Sequence, residues 1–134
     1  MALGARLAKY FKTGDMIALS GIFGAGKTYF TKGIARGLGV KDIKKVVSPS
    51  FVLGTVHQGR KLKLYHFDAQ RLASAGELLK LGLTECFLDG VCVVEWGEKI
   101  PEIKQQPNLI YITFEVTGKN KRRLTISDDG RFVR

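Results

Sequence analysis

The chain has 134 residues, 45% of them hydrophobic and 25% charged, the size and composition expected of one globular domain, residues 1–134, around one core. No apolar run approaches the ~18 residues of a membrane span, and the amphipathic start MALGARLAKYFK lacks the apolar centre and cleavage site of a secretory signal, so a cytoplasmic protein is expected. The net charge of +10 is uneven: residues 1–64 carry twelve Lys and Arg against two Asp, whereas residues 65–134 carry ten of each sign. A basic first half draws phosphates, RNA or an acidic protein surface, and charge alone does not choose among them.

Leu3, Leu7, Tyr10 and Phe11 recur at helical spacing, which predicts a helix over 2–11 that stops before the turn Thr13-Gly14-Asp15. The period then changes. Met16–Ser20 is a short apolar run suited to a buried strand, and after GIFGAGKT the helical spacing returns through Phe30, Ile34, Ala35 and Leu38, with Gly39 as the stop. SPSFVLGTV and KLKLYHFD predict a close pair of strands. Ser74-Ala75-Gly76-Glu77 reads as a capping box for a short helix to Lys80, and Thr84 as the cap of another over 85–88. Val91–Val94 is unbroken and apolar, the mark of a central strand covered on both faces. Ile110–Val116 alternates, Gly118-Lys119-Asn120 turns, and Arg123–Ser127 is expected to return antiparallel before the turn Asp128-Asp129-Gly130. Cys86 and Cys92 form no C-x-x-C pair and are expected to be small buried hydrophobes.

Gly21–Thr28 spells G-x-x-x-x-G-K-T between strand and helix, the context a phosphate-binding loop requires. Glycines at 21, 24 and 26 allow backbone angles and approaches that a Cβ would obstruct, and the helix start offers unpaired N–H groups to an anion. Lys27 is placed to neutralise β- and γ-phosphates, and the hydroxyl of Thr28 to face Mg²⁺. Two acids follow strands, Asp68 after LYHF and Glu95 after VCVV; the carboxyl ends of parallel strands are where ligands gather, so both are candidates for the metal or the attacking water. Ser48-Pro49-Ser50 reads either as an ordinary turn or as a nucleotide-sensitive switch. His57 and His66 have no evident partner; His66, in a half-buried strand, reads as structural, and Trp96 as core or partner contact. The absence of N-K-x-D, with Asn120-Lys121-Arg122-Arg123 the nearest approach, favours adenine over guanine.

With GIFGAGKT, SPSF, HFDAQRL, LGL and VEW in this order, the chain resembles the TsaE (YjeE) family of small P-loop ATPases, which bacteria use in making threonylcarbamoyladenosine in tRNA. The likeness runs from about Gly14 to Trp96. It implies an α/β, P-loop NTPase-like three-layer fold with a mostly parallel central sheet and antiparallel strands at one edge. It also implies ATP and Mg²⁺ as cofactors and the TsaB and TsaD proteins as partners, with tRNA reached through that complex. Position by position, Gly21, Gly24, Ala25, Gly26, Lys27, Thr28 and Tyr29 would hold the nucleotide. Thr28 and Glu95 would ligate Mg²⁺, Lys27, Asp68 and Glu95 would serve hydrolysis, and Ser48 and Ser50 would form the switch. Ser50 stands where the family usually has threonine, Gln70 where it has tyrosine, and Ile22 where it has an acid.

Two other uses of such a loop stay open on the residues. A small-molecule kinase needs an acceptor pocket and an arginine-bearing lid, for which Arg71 and Arg122-Arg123 are the candidates. A nucleotide-regulated RNA-binding module suits the basic first half but lacks aromatics interleaved with the basic residues.

Overall fold

The computed structural model describes residues 2–21, 26–46, 54–71, 84–100, 103, 106, 108–119 and 121–127. The expected helix at 74–80, the turn at 128–130, Gly24, Ala25, Ser48 and Ser50 lie outside the described residues.

Helix α1 (Ala2–Ala8) is shorter than its apolar spacing suggests. Beyond Ala8 the chain tightens: Tyr10 and Phe11 donate to the carbonyls of Leu7 and Ala8, three residues back, at 3.0 and 3.2 Å. Leu7 and Phe11 are buried, whereas Leu3 and Tyr10 stay exposed. Asp15 fixes the next turn by accepting the Lys12 N–H at 2.7 Å, and aims the chain into β1 (Met16–Ser20). Helix α2 (Lys27–Leu38) ends at Gly39, whose left-handed backbone closes the last carbonyls.

Strands β2 (Gly54–Gln58) and β3 (Lys63–Asp68) pair antiparallel as expected. Helix α3 (Thr84–Asp89) leads into β4 (Gly90–Glu95). Strands β5 (Leu109–Gly118) and β6 (Lys121–Ser127) make the second antiparallel pair. The six strands form one sheet in the order β2-β3-β4-β1-β5-β6, in which β3, β4, β1 and β5 are mutually parallel. The sheet is thus mostly parallel, and an antiparallel strand closes both edges rather than one: the β2–β3 hairpin places its strand at one border and the β5–β6 hairpin at the other.

Alternation along the central strands sorts side chains between two apolar layers. Ile17, Leu19, Val91, Val93, Leu64, Ile110 and Ile112 pack with α1 and α2, where Phe30 meets Phe114 edge to face with centroids 5.4 Å apart, a contact worth about 0.5–1.5 kcal/mol beyond its area. Met16, Ala18, Cys92 and Val94 face the other way, with Cys86, Ile100 and Ile103. Both cysteines are free and buried; burial, with Cys86 beside it, pushes the Cys92 thiol well up. Helices on two sides of a largely parallel sheet make the three-layer α/β architecture.

Candidate functional site

The parallel strands β1, β4 and β3 deliver their carboxyl ends to one place. In the register of β3 and β4, Asp68 lies opposite Glu95, and in that of β1 and β4, Leu19 lies opposite Glu95. Because side chains alternate, Leu64, His66 and Asp68 share a face with Val91, Val93 and Glu95, the face that Leu64, Val91 and Val93 bury against α2. Strand alternation therefore turns both acids toward the start of that helix, and both are buried, 1% and 3% exposed.

The helix start supplies the opposing groups. The Thr28 hydroxyl donates to Glu95, with Oε1 at 3.0 Å and Oε2 at 3.2 Å, joining residues 67 positions apart. Lys27 is also buried; its Nζ donates to the Gly21 carbonyl at 2.6 Å and sits 3.4 Å from the centre of the Trp96 ring. Burial lowers the pKa of Lys27, opposed by the carboxylates of Glu98, Glu95 and Asp68. A buried cation held between an aromatic face and a carbonyl has given up much of its hydration.

Two glycines shape the loop ends. Gly21, at φ +142°, leaves no room for a side chain, since a Cβ would stand 2.7 Å from the Phe114 carbonyl oxygen. Gly26 caps α2 in a left-handed conformation, φ +96°, with no described residue within 4 Å of the place a methyl would take, so among the described residues its requirement is conformational rather than steric. Asp68 accepts the Gln70 N–H at 2.9 Å, which holds the chain as it leaves β3. Tyr29 is 61% exposed.

His66 belongs to this site, contrary to its reading as a structural residue without a partner. It is fully buried, with Nε2 2.5 Å from Glu95 Oε2, while its Nδ1 has no hydrogen-bond partner among the described residues. The signal in the sequence was its place two residues before Asp68, which puts both on one strand face. Trp96 and Glu98 were likewise not assigned to the loop: Trp96 takes a left-handed backbone, φ 62°, and turns the chain into the 3₁₀ segment Gly97–Lys99. From there a Glu98 oxygen lies 3.4 Å from the Gly21 N–H, a long contact.

A parallel strand followed by a glycine-bounded loop and helix, with Lys27 and Thr28 set against strand-end acids, defines a nucleotide-binding protein of the P-loop NTPase class. Residues 1–124 match the family model described as threonylcarbamoyl adenosine biosynthesis protein TsaE. The chain is 37% identical over 125 residues to the tRNA threonylcarbamoyladenosine biosynthesis protein TsaE of Treponema pallidum, covering 92% of this chain and 90% of that one. It is 41% identical over 134 residues to the protein of that name from Streptomyces coelicolor, with 96% and 89% covered. Its fold is similar to that of Bacillus subtilis YdiB in a crystal structure, with a TM-score of 0.73, 35% identity, and coverage of 95% of this chain and 76% of that one. The chain belongs to the TsaE family, and its general role is that of an accessory factor in tRNA threonylcarbamoyladenosine modification.

Proposed function

We propose that the chain binds ATP with Mg²⁺ at the loop 21–28 and hydrolyses it, and that the nucleotide state acts on the TsaB and TsaD proteins of the modification system. The observation that carries this reading is the contact between Thr28 and Glu95, which brings a hydroxyl and a carboxylate from distant parts of the chain to the start of α2. These are hard oxygen donors of the kind Mg²⁺ takes, and that ion normally completes its shell with water and phosphate rather than with an all-protein cage. Among the described residues no cluster of three or more His, Cys, Asp or Glu forms such a cage. Thr28 and Glu95 would hold the ion, which supplies positive charge to the β- and γ-phosphate oxygens.

The chain's own groups do the rest. Lys27 exchanges the Gly21 carbonyl for a phosphate oxygen, recovering the solvation that burial removed. Gly26 and the first turn of α2 present N–H groups to the phosphate tail. Asp68, next to Glu95 in register, orients the attacking water, and His66 holds Glu95. Ser48 and Ser50, outside the described residues, are proposed as the segment that senses the γ-phosphate. A nucleotide biases a partner only if its ATP and ADP states expose surfaces of different affinity.

The test is ATP hydrolysis by the purified chain, alone and with TsaB and TsaD, with tRNA modification followed in parallel. Slow turnover alone that rises with the partners is expected. Phosphate transfer to a metabolite at an ordinary enzymatic rate, without other proteins, would replace this reading with the kinase.

A further inference from the structure

The end of α2 remote from the site carries a second feature. A helix of this length spans about 18 Å, and beyond its last residue, Leu38, lies an open groove of about 710 Å³ between the 39–45 segment and the β2–β3 turn. Lys41 and Lys45 line it from the first segment and Arg60 from the turn, with Val40, Val56 and His57 between. All three cations are exposed, and none forms an ion pair among the described residues. Lys44 and Lys61, also exposed, are their chain neighbours, and Lys61 lines an adjoining hollow of about 200 Å³ that shares Arg60. The one acid among the described lining residues, Asp42, is engaged in capping, its carboxylate accepting the Lys44 N–H at 3.2 Å.

The groove is held by backbone. The Arg60 N–H donates to the Leu38 carbonyl at 2.7 Å, and the Gly39 and Val40 N–H groups occupy the carbonyls of Arg36 and Ala35. The hairpin turn is thereby fastened to the helix end, and the helix's negative pole is covered rather than turned bare toward an incoming anion.

We propose that this groove binds the phosphodiester backbone of RNA, independently of the nucleotide site. Its lining decides between the two polyanions that its charge admits. A stable protein interface needs a central apolar or aromatic anchor, and among the described residues this lining offers only Val40 and the 56% exposed Val56. Backbone phosphates need none, because binding is driven by counterion release from fixed cations. Among the described residues the lining contains no aromatic side chain other than His57 on which bases would stack, so recognition is of the backbone and independent of sequence.

The experiment measures binding of an unmodified tRNA transcript to the full chain across a salt series. With three lining cations engaged, log affinity falls with log salt at a slope of about −2 to −3. The variant Lys41→Gln/Lys45→Gln/Arg60→Gln, altered only at exposed positions, is expected to unfold at the parent's temperature. It should lose at least about tenfold in affinity near 0.1 M salt, with most of that slope. Lys119→Gln/Lys121→Gln/Arg122→Gln, which removes the same charge at the opposite sheet edge, should keep the parent's affinity, as should the parent in saturating Mg-ATP. Equal losses in the two triple variants would reduce the effect to diffuse charge and overturn the proposal. Competition by Mg-ATP would move the RNA to the phosphate loop, and tighter binding of poly-glutamate than of tRNA would assign the groove to an acidic protein; either overturns it.

Discussion

His66 Nε2 lies 2.5 Å from Glu95 Oε2, and that same oxygen is 3.2 Å from the Thr28 hydroxyl. One carboxylate thus joins β3, β4 and the first turn of α2. Removing a donor to a buried carboxylate costs more than the bond itself is worth, because the acceptor is left desolvated. His66→Phe is expected to lower stability by about 1–3 kcal/mol and to weaken Mg-ATP binding, while His66→Gln, which keeps a donor, recovers most of both. Urea unfolding and calorimetric titration of the two variants check this.

Glu95 and Glu98 are three residues apart, yet only Glu95 is buried against Thr28. Glu95→Gln keeps the shape and removes the charge, and is expected to slow Mg²⁺-dependent hydrolysis on the order of 10²-fold. Glu98→Gln keeps an acceptor for the 3.4 Å contact to Gly21 and removes one of the carboxylates acting on Lys27 without touching Thr28, and should change the rate by less than about threefold. Steady-state hydrolysis across a Mg²⁺ series distinguishes them, and equal effects would remove Glu95 from the proposed metal site.

Lys27 is lowered in pKa by burial, in spite of the three acids near it. With the folded pKa below the unfolded value, the unfolded chain binds more protons in the interval between them, so this group's contribution to stability increases as pH rises through that interval toward 10.5. Lys27→Met should therefore be more stable than the parent at neutral pH while losing nucleotide affinity by at least about tenfold. The stability difference narrows as the pH approaches 10.5. Chemical denaturation of both proteins from neutral to alkaline pH, with nucleotide titration, measures each part.

Gly21 and Gly26 bound the same loop but resist substitution for different reasons. Gly21→Ala drives a methyl against the Phe114 carbonyl oxygen and Cβ, at 2.7 and 3.0 Å, and is expected to cost about 2 kcal/mol or more, since β1 and β5 must part to admit it. Gly26→Ala meets no described residue within 4 Å and is expected to cost the left-handed backbone, about 1 kcal/mol. Thermal unfolding of the pair should show the larger drop at 21.

Local pattern carried a large share of this protein. Met16–Ser20 and Lys27–Leu38 fall on their apolar runs, because a buried strand and an amphipathic helix each leave a local pattern that does not depend on the rest of the chain. The same period overstates the first helix: Leu3 and Tyr10 keep the spacing but stay exposed, and the helix tightens after Ala8. The identities of Lys27, Thr28, Asp68 and Glu95 were legible as a loop and two strand-end acids.

Tertiary structure decided which of these meet. That Thr28 touches Glu95, that Lys27 lies on Trp96, and that His66 holds the Glu95 carboxylate depend on the register of β3, β4 and β1, a set of long-range pairings that no local period records. The groove of Lys41, Lys45 and Arg60 has the same origin: the sequence supplied an excess of positive charge, and only the docking of the β2–β3 turn on the end of α2 gathered it onto one surface.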